Sequence, residues 1–227
     1  MPPSAKSEAL SAHASQSTST VVVKDTAIYL FFKRAMDIFG AVIGLILLGF
    51  IFIVVAIAIK LEDPKGPVFF SQKRVGKDGK EFHMYKFRSM VTDAEKRLEE
   101  LLKHNETTGA MFKMKNDPRV TRIGRFIRKT SIDELPQLWN VLKGDMSLVG
   151  PRPPLPREVA EYTDYDKQRL LVIPGCTGLW QVSGRSNIGF KEMVELDLTY
   201  VTERNILLDL KIIFKTFKLL LGSKNAY

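Results

Sequence analysis

IFGAVIGLILLGFIFIVVAIAI, residues Ile38–Ile59, carries no charged side chain. A run of about 22 apolar residues is long enough to cross the hydrocarbon core of a bilayer as a helix. A soluble domain of this size seldom hides so long a helix on every side, which argues against a core helix. A cleaved signal peptide does not fit either, because the run is too long and no small-residue cleavage site follows it. The stretch is therefore read as a membrane-inserted helix, and the rest of the chain is arranged around it.

Orientation is set by the flanks. Lys24, Lys33 and Arg34 precede the run, and Lys60, Lys65, Lys73, Arg74 and Lys77 follow it. Basic flanks stay in the cytoplasm, and here both flanks are basic. A helix that enters one leaflet and returns satisfies both, whereas a spanning helix puts the N-terminal segment outside. Gly44, Gly49 and Phe50 leave room for a bend, yet no proline imposes one. Spanning and re-entry both stay open at this point, with re-entry preferred.

The 227 residues are 45% hydrophobic and 26% charged, with a formal net charge of +9. One packed core is affordable at this length. The basic excess calls for an anionic partner: nucleic acid, an acidic membrane face or a phosphorylated substrate. Cys176 is the only cysteine, which excludes an internal disulfide and a cysteine-based zinc site and suits a reducing compartment. His13, His83 and His104 are too few and too far apart for an imidazole cluster. Any metal would be held by oxygen ligands.

Outside the apolar run, Met1 to about Val21 is rich in Ser, Ala and Thr and cannot repay the entropy of ordering, so a flexible tail is expected. The expected division is a tail over 1–25, a membrane-associated helix over 26–62 and a catalytic domain over 63–227. PVFFSQKRV and EFHMYKF, joined by GKDGK, read as a β-hairpin on the strength of the Asp-Gly pair. TDAEKRLEELLKHN reads as a solvated amphipathic helix. SIDELPQLWNVLKG has helical spacing in Leu135, Leu138, Trp139 and Leu142 and stops at Gly144. GDMSLVGPRPPLP and IPGCTGLWQVSGRSN read as loops. Two helices close the chain, FKEMVELDLTYVTE and ILLDLKIIFKTFKLLLG. The second sets Lys211, Lys215 and Lys218 against a broad apolar face, as suits either core packing or a membrane interface. The expected fold is α+β and mostly helical: the N-terminal membrane helix, then a compact cytoplasmic domain with a small hairpin and interfacial helices.

The candidate chemistry lies in SIDELPQ, Ser131–Gln137. Ser131 followed by Glu134 is a capping-box pattern, and Asp133 would suit the helix dipole. Pro136 opposes that reading: with Ser131 as cap, its ring would meet the carbonyl of Ile132. Either the helix starts later, with Asp133 as a candidate cap, or it starts strained, and local rules break where function requires it. Cations gather around the pair: Arg119, Arg122, Arg125, Arg128 and Lys129 before it, Lys143, Arg152 and Arg185 after it. Such a setting suits phosphate. A carboxylate is repelled by phosphate unless a divalent metal lies between them or the carboxylate is itself the nucleophile.

Other stretches divide evenly between function and plain structure. VGPRPP would hold Arg152 rigidly or is a surface turn. PGCTG and SGRSN admit a ligand close to backbone or are simply turns. YKFRSM puts Lys86 and Arg88 on one strand face, solvated or anion-binding. Asp197 is either a buried partner for an arginine or part of the site. Trp180 reads as a core residue rather than a base-stacking one. Cys176 lacks a nearby histidine to activate it as a nucleophile.

In order, KRAMD, GPVFFSQKRVGKDGKEFHMYKFRSM, DPRVTRIGRFIRKTSIDELPQLWNVLKGDMSLVGPRP, PGCTGLWQVSGR and LDLTYV resemble the bacterial sugar transferase family, the monotopic polyprenyl-phosphate phosphoglycosyl transferases. The resemblance runs from about Lys33 to the C-terminus. It implies transfer of a sugar 1-phosphate from a UDP-sugar to undecaprenyl phosphate with release of UMP, at the bacterial inner membrane, as the first step of exopolysaccharide or capsule synthesis. It further implies Asp133 as nucleophile, Glu134 beside it holding Mg²⁺ together with Asp133, and Arg128, Arg152 and Arg185 on phosphate or nucleotide. Lys86 and Asp197 join the substrate-binding set less firmly. Nucleic acid is not an expected partner, and self-association is left open. Family members resemble one another in a re-entrant helix bent at a Ser-Pro pair, where this sequence has Gly49-Phe50. Two competitors remain: a non-catalytic membrane-anchored basic module that binds anionic lipid or nucleic acid, and direct glycosyl transfer that would release UDP.

Overall fold

The computed structural model describes residues 20–23, 25–104, 114, 116–184 and 188–222. The tail expected over 1–25 falls almost wholly outside the described residues, as does Arg185. In chain order the elements are α1 (Ala27–Glu62), β1 (Phe69–Val75), β2 (Glu81–Phe87), α2 (Leu98–Leu101), α3 (Arg122–Lys129), α4 (Gln137–Lys143), β3 (Ser147–Val149), α5 (Pro156–Ala160), α6 (Asp164–Lys167), β4 (Gly175–Thr177), α7 (Leu179–Ser183), α8 (Phe190–Glu203) and α9 (Ile206–Gly222). Most of the described residues are helical, and the strands among them form two small two-stranded sheets.

The 36 residues of α1 run as one uninterrupted helix through Gly49 and Phe50. At 1.5 Å per residue the helix is about 54 Å long. Thr26 caps its start by accepting from the Tyr29 backbone N–H at 3.2 Å. One stripe packs along the remainder of the protein. Ala41 joins Met84, Val141 and Met146 in one apolar cluster, and Val55 and Ile59 join Phe87 and Ile127 in another. Facing outward, Phe31, Phe39, Leu47, Phe50, Ile53 and Leu61 stay exposed.

Polar contacts fasten both ends of α1, and they revise the reading of its N-terminal flank. Lys33 is buried and lies 3.1 Å from Asp209 on α9, and it also donates to the carbonyl of Val149 at 3.0 Å. Arg34 donates to the carbonyls of Val141 at 2.6 Å and Leu142 at 2.8 Å at the end of α4, a second donor for Val141, which also accepts from the Gly144 N–H at 3.1 Å. Asp37 accepts from the Ser147 hydroxyl and the Leu148 N–H, both at 2.9 Å. These charges therefore serve as intramolecular fasteners rather than free topology signals. At the far end the Glu62 carboxylate accepts from the N–H groups of Arg122 and Ile123 at 2.8 and 3.1 Å, capping α3.

The hairpin forms as its sequence dictates: β1 and β2 pair antiparallel in register from Phe69↔Phe87 to Val75↔Glu81. Asp78 and Gly79 both take positive φ, 56° and 77°, the conformation that makes Asp-Gly a hairpin turn. The expected helix over 92–105 is shorter, with only Leu98–Leu101 α-helical before a 3-10 turn. Two stretches read as loops instead form a parallel pair, with Ser147 opposite Gly175 and Val149 opposite Thr177. Their glycines serve backbone packing: a Cβ on Gly175 would lie 2.0 Å from the backbone nitrogen of Gly150.

Candidate active site

Ser131 is no helix cap. It sits in the left-handed region at φ 57° and ψ 16°, and its side chain makes no capping bond. The chain crosses from α3 to α4 through this residue and a 3-10 turn over Ile132–Glu134. Pro136 then stands immediately before α4, where its missing N–H is not needed. The conflict between the capping box and the proline thus resolves in favour of the proline. A left-handed non-glycine residue costs on the order of 1 kcal/mol or more. Here it carries the chain into the 3-10 turn that holds Asp133 and Glu134.

Asp133 is 5% exposed and lines an open cleft of about 1530 Å³ whose walls include Lys86, Arg128 and Arg152. Four of the residues singled out in the sequence therefore meet around one space. Burial pushes the Asp133 carboxyl up to about 6, against the opposing pull of Lys86, and leaves it mostly ionised at neutral pH. Its neighbour Glu134 accepts from Lys86 at 2.6 Å. Burial alone would raise Glu134, but Lys86 outweighs it and holds the carboxyl below the ordinary range.

Asn140 sets the geometry of this pair, a residue that sequence reading passed over. Fully buried on α4, its amide accepts from the Tyr85 N–H at 3.0 Å and donates to the carbonyl of His83 at 2.7 Å. The amide therefore pins β2 against α4, which places Lys86 opposite Glu134. An asparagine within an amphipathic helix was the only signal available, and surface asparagines give the same one.

Arg152 is held at 3.0 Å by Glu158, which is 1% exposed and also accepts from the Leu155 N–H at 2.8 Å. Burial opposes ionisation of Glu158, yet Arg152 and these hydrogen bonds keep its carboxyl below its ordinary value of 4.5. A depressed carboxyl stabilises the fold fully above the unfolded value and loses that contribution as pH falls through the folded one. Replacement of Glu158 by Gln is expected to lower stability at neutral pH and to shallow the acid limb of a melting-temperature profile below about pH 4.5. An acid limb identical to wild type would show that Glu158 contributes nothing there.

Asp197 is not in the cleft wall. It is 0% exposed and paired with Arg169, itself fully buried. Arg169 in turn donates to the Tyr162 hydroxyl at 2.9 Å and to the carbonyl of Arg152 at 3.3 Å. Of the two readings open for Asp197, partner to a buried arginine is the one the structure shows, with the carboxylate buried on α8. Arg88, next to Lys86 in its motif, is likewise committed to Asp63. Burial pushes the Cys176 thiol up, so it stays protonated and unreactive. Among the described residues no group of three metal-binding side chains converges.

A buried carboxylate among cations in an open cleft, beside a long apolar helix, is the arrangement anticipated for a phosphoryl-transfer enzyme at a membrane. Residues 28–223 match the model of the bacterial sugar transferases. The chain belongs to that family. It is 54% identical over 199 residues to the galactosyl transferase CpsE of Streptococcus agalactiae, covering 87% of this chain and 44% of the relative. It is 46% identical to the undecaprenyl-phosphate galactose phosphotransferase of Salmonella typhimurium, covering 87% and 42%. The chain thus spans under half the length of these relatives. Against the exopolysaccharide production protein ExoY of Sinorhizobium fredii, 39% identical, the coverage is 86% and 88%. The aligned residues thus cover most of ExoY and under half of the two larger relatives.

Proposed function

We propose that this protein transfers a sugar 1-phosphate from a UDP-sugar to undecaprenyl phosphate, releasing UMP, through a covalent intermediate on Asp133. The observation that carries the reading is the cleft in which Asp133, buried and mostly ionised, faces Lys86, Arg128 and Arg152. The names of the relatives support it, one of them an undecaprenyl-phosphate galactose phosphotransferase. An Asp133 carboxylate oxygen attacks the sugar-bearing phosphorus, the bond from that phosphorus to the UMP oxygen breaks, and UMP departs. A phosphate oxygen of the lipid then attacks the same phosphorus, and the aspartyl oxygen leaves as carboxylate. Two steps replace one reaction between mutually repelling anions. Lys86, Arg128 and Arg152 offset the phosphate charge at each.

Mg²⁺ belongs to the same proposal. It takes one or two carboxylates and completes its shell with water and substrate phosphate, so the adjacent Asp133 and Glu134 are a fitting donor set, whereas a cage made wholly of protein ligands would not be. When bound, the ion neutralises phosphate charge near the attacking carboxylate.

The packing of α1 supports a one-sided membrane arrangement. Both of its ends are fastened to the domain that carries Asp133, so a spanning α1 would draw that domain into the bilayer. We place the domain-facing stripe of α1 on the protein and its exposed apolar stripe in one leaflet of the inner membrane, with the cleft on the cytoplasmic side. Leu207, Leu210, Phe214 and Phe217 of α9, with Trp139 and Phe126, are exposed as well and suit an interfacial position. A cysteine replacing Thr20, in a Cys176→Ala background, is expected to resist an impermeant thiol reagent in intact cells and to react after lysis. Labelling in intact cells would show that α1 spans.

The test of the chemistry is the nucleotide released. Purified protein with undecaprenyl phosphate, Mg²⁺ and a panel of UDP-sugars is expected to yield UMP with one preferred sugar. UDP as the product would replace the reading with direct glycosyl transfer, and no nucleotide from any sugar would return the chain to a binding module.

A further inference from the structure

Arg74 differs from its neighbours in the cleft. Lys86 is paired with Glu134, Arg152 with Glu158, Arg88 with Asp63 and Arg119 with Asp117. Arg74, on β1, is 8% exposed and lines the same cleft as Asp133 and Arg152. No ion pair joins it to a carboxylate among the described residues. Its contacts are with neutral oxygens: Nη1 donates to the carbonyl of Pro153 at 3.0 Å and Nη2 to Gln72 Oε1 at 2.8 Å. Its Nε is buried and has no partner. A buried cation bonded directly only to neutral oxygens, with Glu158 and Glu134 attracting it without a direct bond, stays under-compensated until a further counter-ion arrives.

The position of Arg74 adds to that cost. Burial, and after it repulsion from Arg152, pushes the guanidinium down to about 9, so the fold has brought two like charges close to each other. A purely structural role does not require this. The backbone already joins β1 to the proline loop, with the Val75 N–H donating to the carbonyl of Pro154 at 2.9 Å. A neutral side chain could repeat the bonds to Pro153 and Gln72 without a buried charge.

We propose that Arg74 is a further phosphate-binding residue of this cleft, whose missing counter-charge is a phosphate group of the substrates. The inference rests on the transferase reading above and adds a second guanidinium beside Arg152. A planar guanidinium fork matches phosphate oxygens, and the charged bonds it forms are stronger than neutral ones. The phosphate belongs either to the nucleotide donor or to the lipid acceptor, and the two are separable by titration.

Full-length protein in detergent is titrated with UDP and, separately, with undecaprenyl phosphate, for wild type, Arg74→Gln and Arg74→Lys, with thermal melting to verify folding. Arg74→Gln is expected to weaken one of the two ligands by about 10- to 100-fold, the worth of a charged hydrogen bond. Loss confined to UDP assigns the donor, and loss confined to the lipid assigns the acceptor. Arg74→Lys keeps the charge but loses the planar fork, so it is expected to recover part of the affinity that Arg74→Gln loses. Unchanged affinity of Arg74→Gln for both ligands overturns the proposal, as does a folded Arg74→Lys that binds no better than Arg74→Gln. Should Arg74→Gln fail to fold, Arg74→Lys decides alone: a several-fold loss for one ligand, as the missing fork requires, supports the proposal, and affinity equal to wild type for both ligands overturns it. Wild type that binds neither ligand and releases no UMP overturns the transferase reading with it. Binding by wild type matched by Arg74→Gln removes Arg74 alone.

Discussion

Asp133→Asn is expected to abolish transfer while leaving the protein folded and membrane-bound. Loss of a covalent nucleophile typically costs about 10³-fold or more in turnover, and the amide cannot replace the carboxylate. The decisive format supplies the UDP-sugar alone. Wild type should release UMP in a burst of about one equivalent, because the first step needs no acceptor, and Asp133→Asn should release none. Stability should move in the opposite direction. Burial disfavours the ionised Asp133 carboxyl, raising it to about 6, so at neutral pH the folded state bears a penalty for that charge. The neutral amide removes the penalty, and the melting temperature should equal or exceed that of wild type. Lost activity with undiminished stability is the signature of a functional group held against its own preference. Normal turnover by the variant would sink the assignment.

Asp197→Asn is expected to produce the opposite pattern. Asp197 and Arg169 are both fully buried, and removing one partner leaves the other charge uncompensated, at about 3–5 kcal/mol of stability. Because Arg169 also donates to the carbonyl of Arg152, the loss should reach the cleft only through the Arg152 loop. Activity should therefore follow the folded fraction as temperature rises. A joint replacement of Asp197 and Arg169 by Leu should recover much of the stability, since it leaves no lone buried charge. Asp197→Asn that melts like wild type but has lost UMP release would return Asp197 to the substrate.

The two residues show where sequence reading succeeds. Asp133 was legible because its surroundings contradict it: a capping-box pattern followed by a proline where a cap would not allow one. Local conflicts of that kind are visible within seven letters. Asp197 was not, because a buried ion pair and a substrate-binding carboxylate look alike until the partner is known, and Arg169 lies far away in the chain. Lys33 and Arg34 show the same limit. Beside an apolar run their charges read as topology signals, whereas in the fold they bond to Asp209, Val141 and Leu142.

What the sequence determined alone was everything governed by short-range rules. The apolar run decided α1, because about 22 uncharged residues have few other places to go. Asp78-Gly79 decided the hairpin, because both must accept positive φ. The tertiary structure decided what depends on long-range partners. It paired Ser147–Val149 with Gly175–Thr177, strands too short to show a pattern. Through Asn140 it set Lys86 on Glu134. It also left Arg74 buried near Arg152 with no direct ion pair to a carboxylate among the described residues. Charge pairing is a sum over distant neighbours, and only the folded chain supplies them.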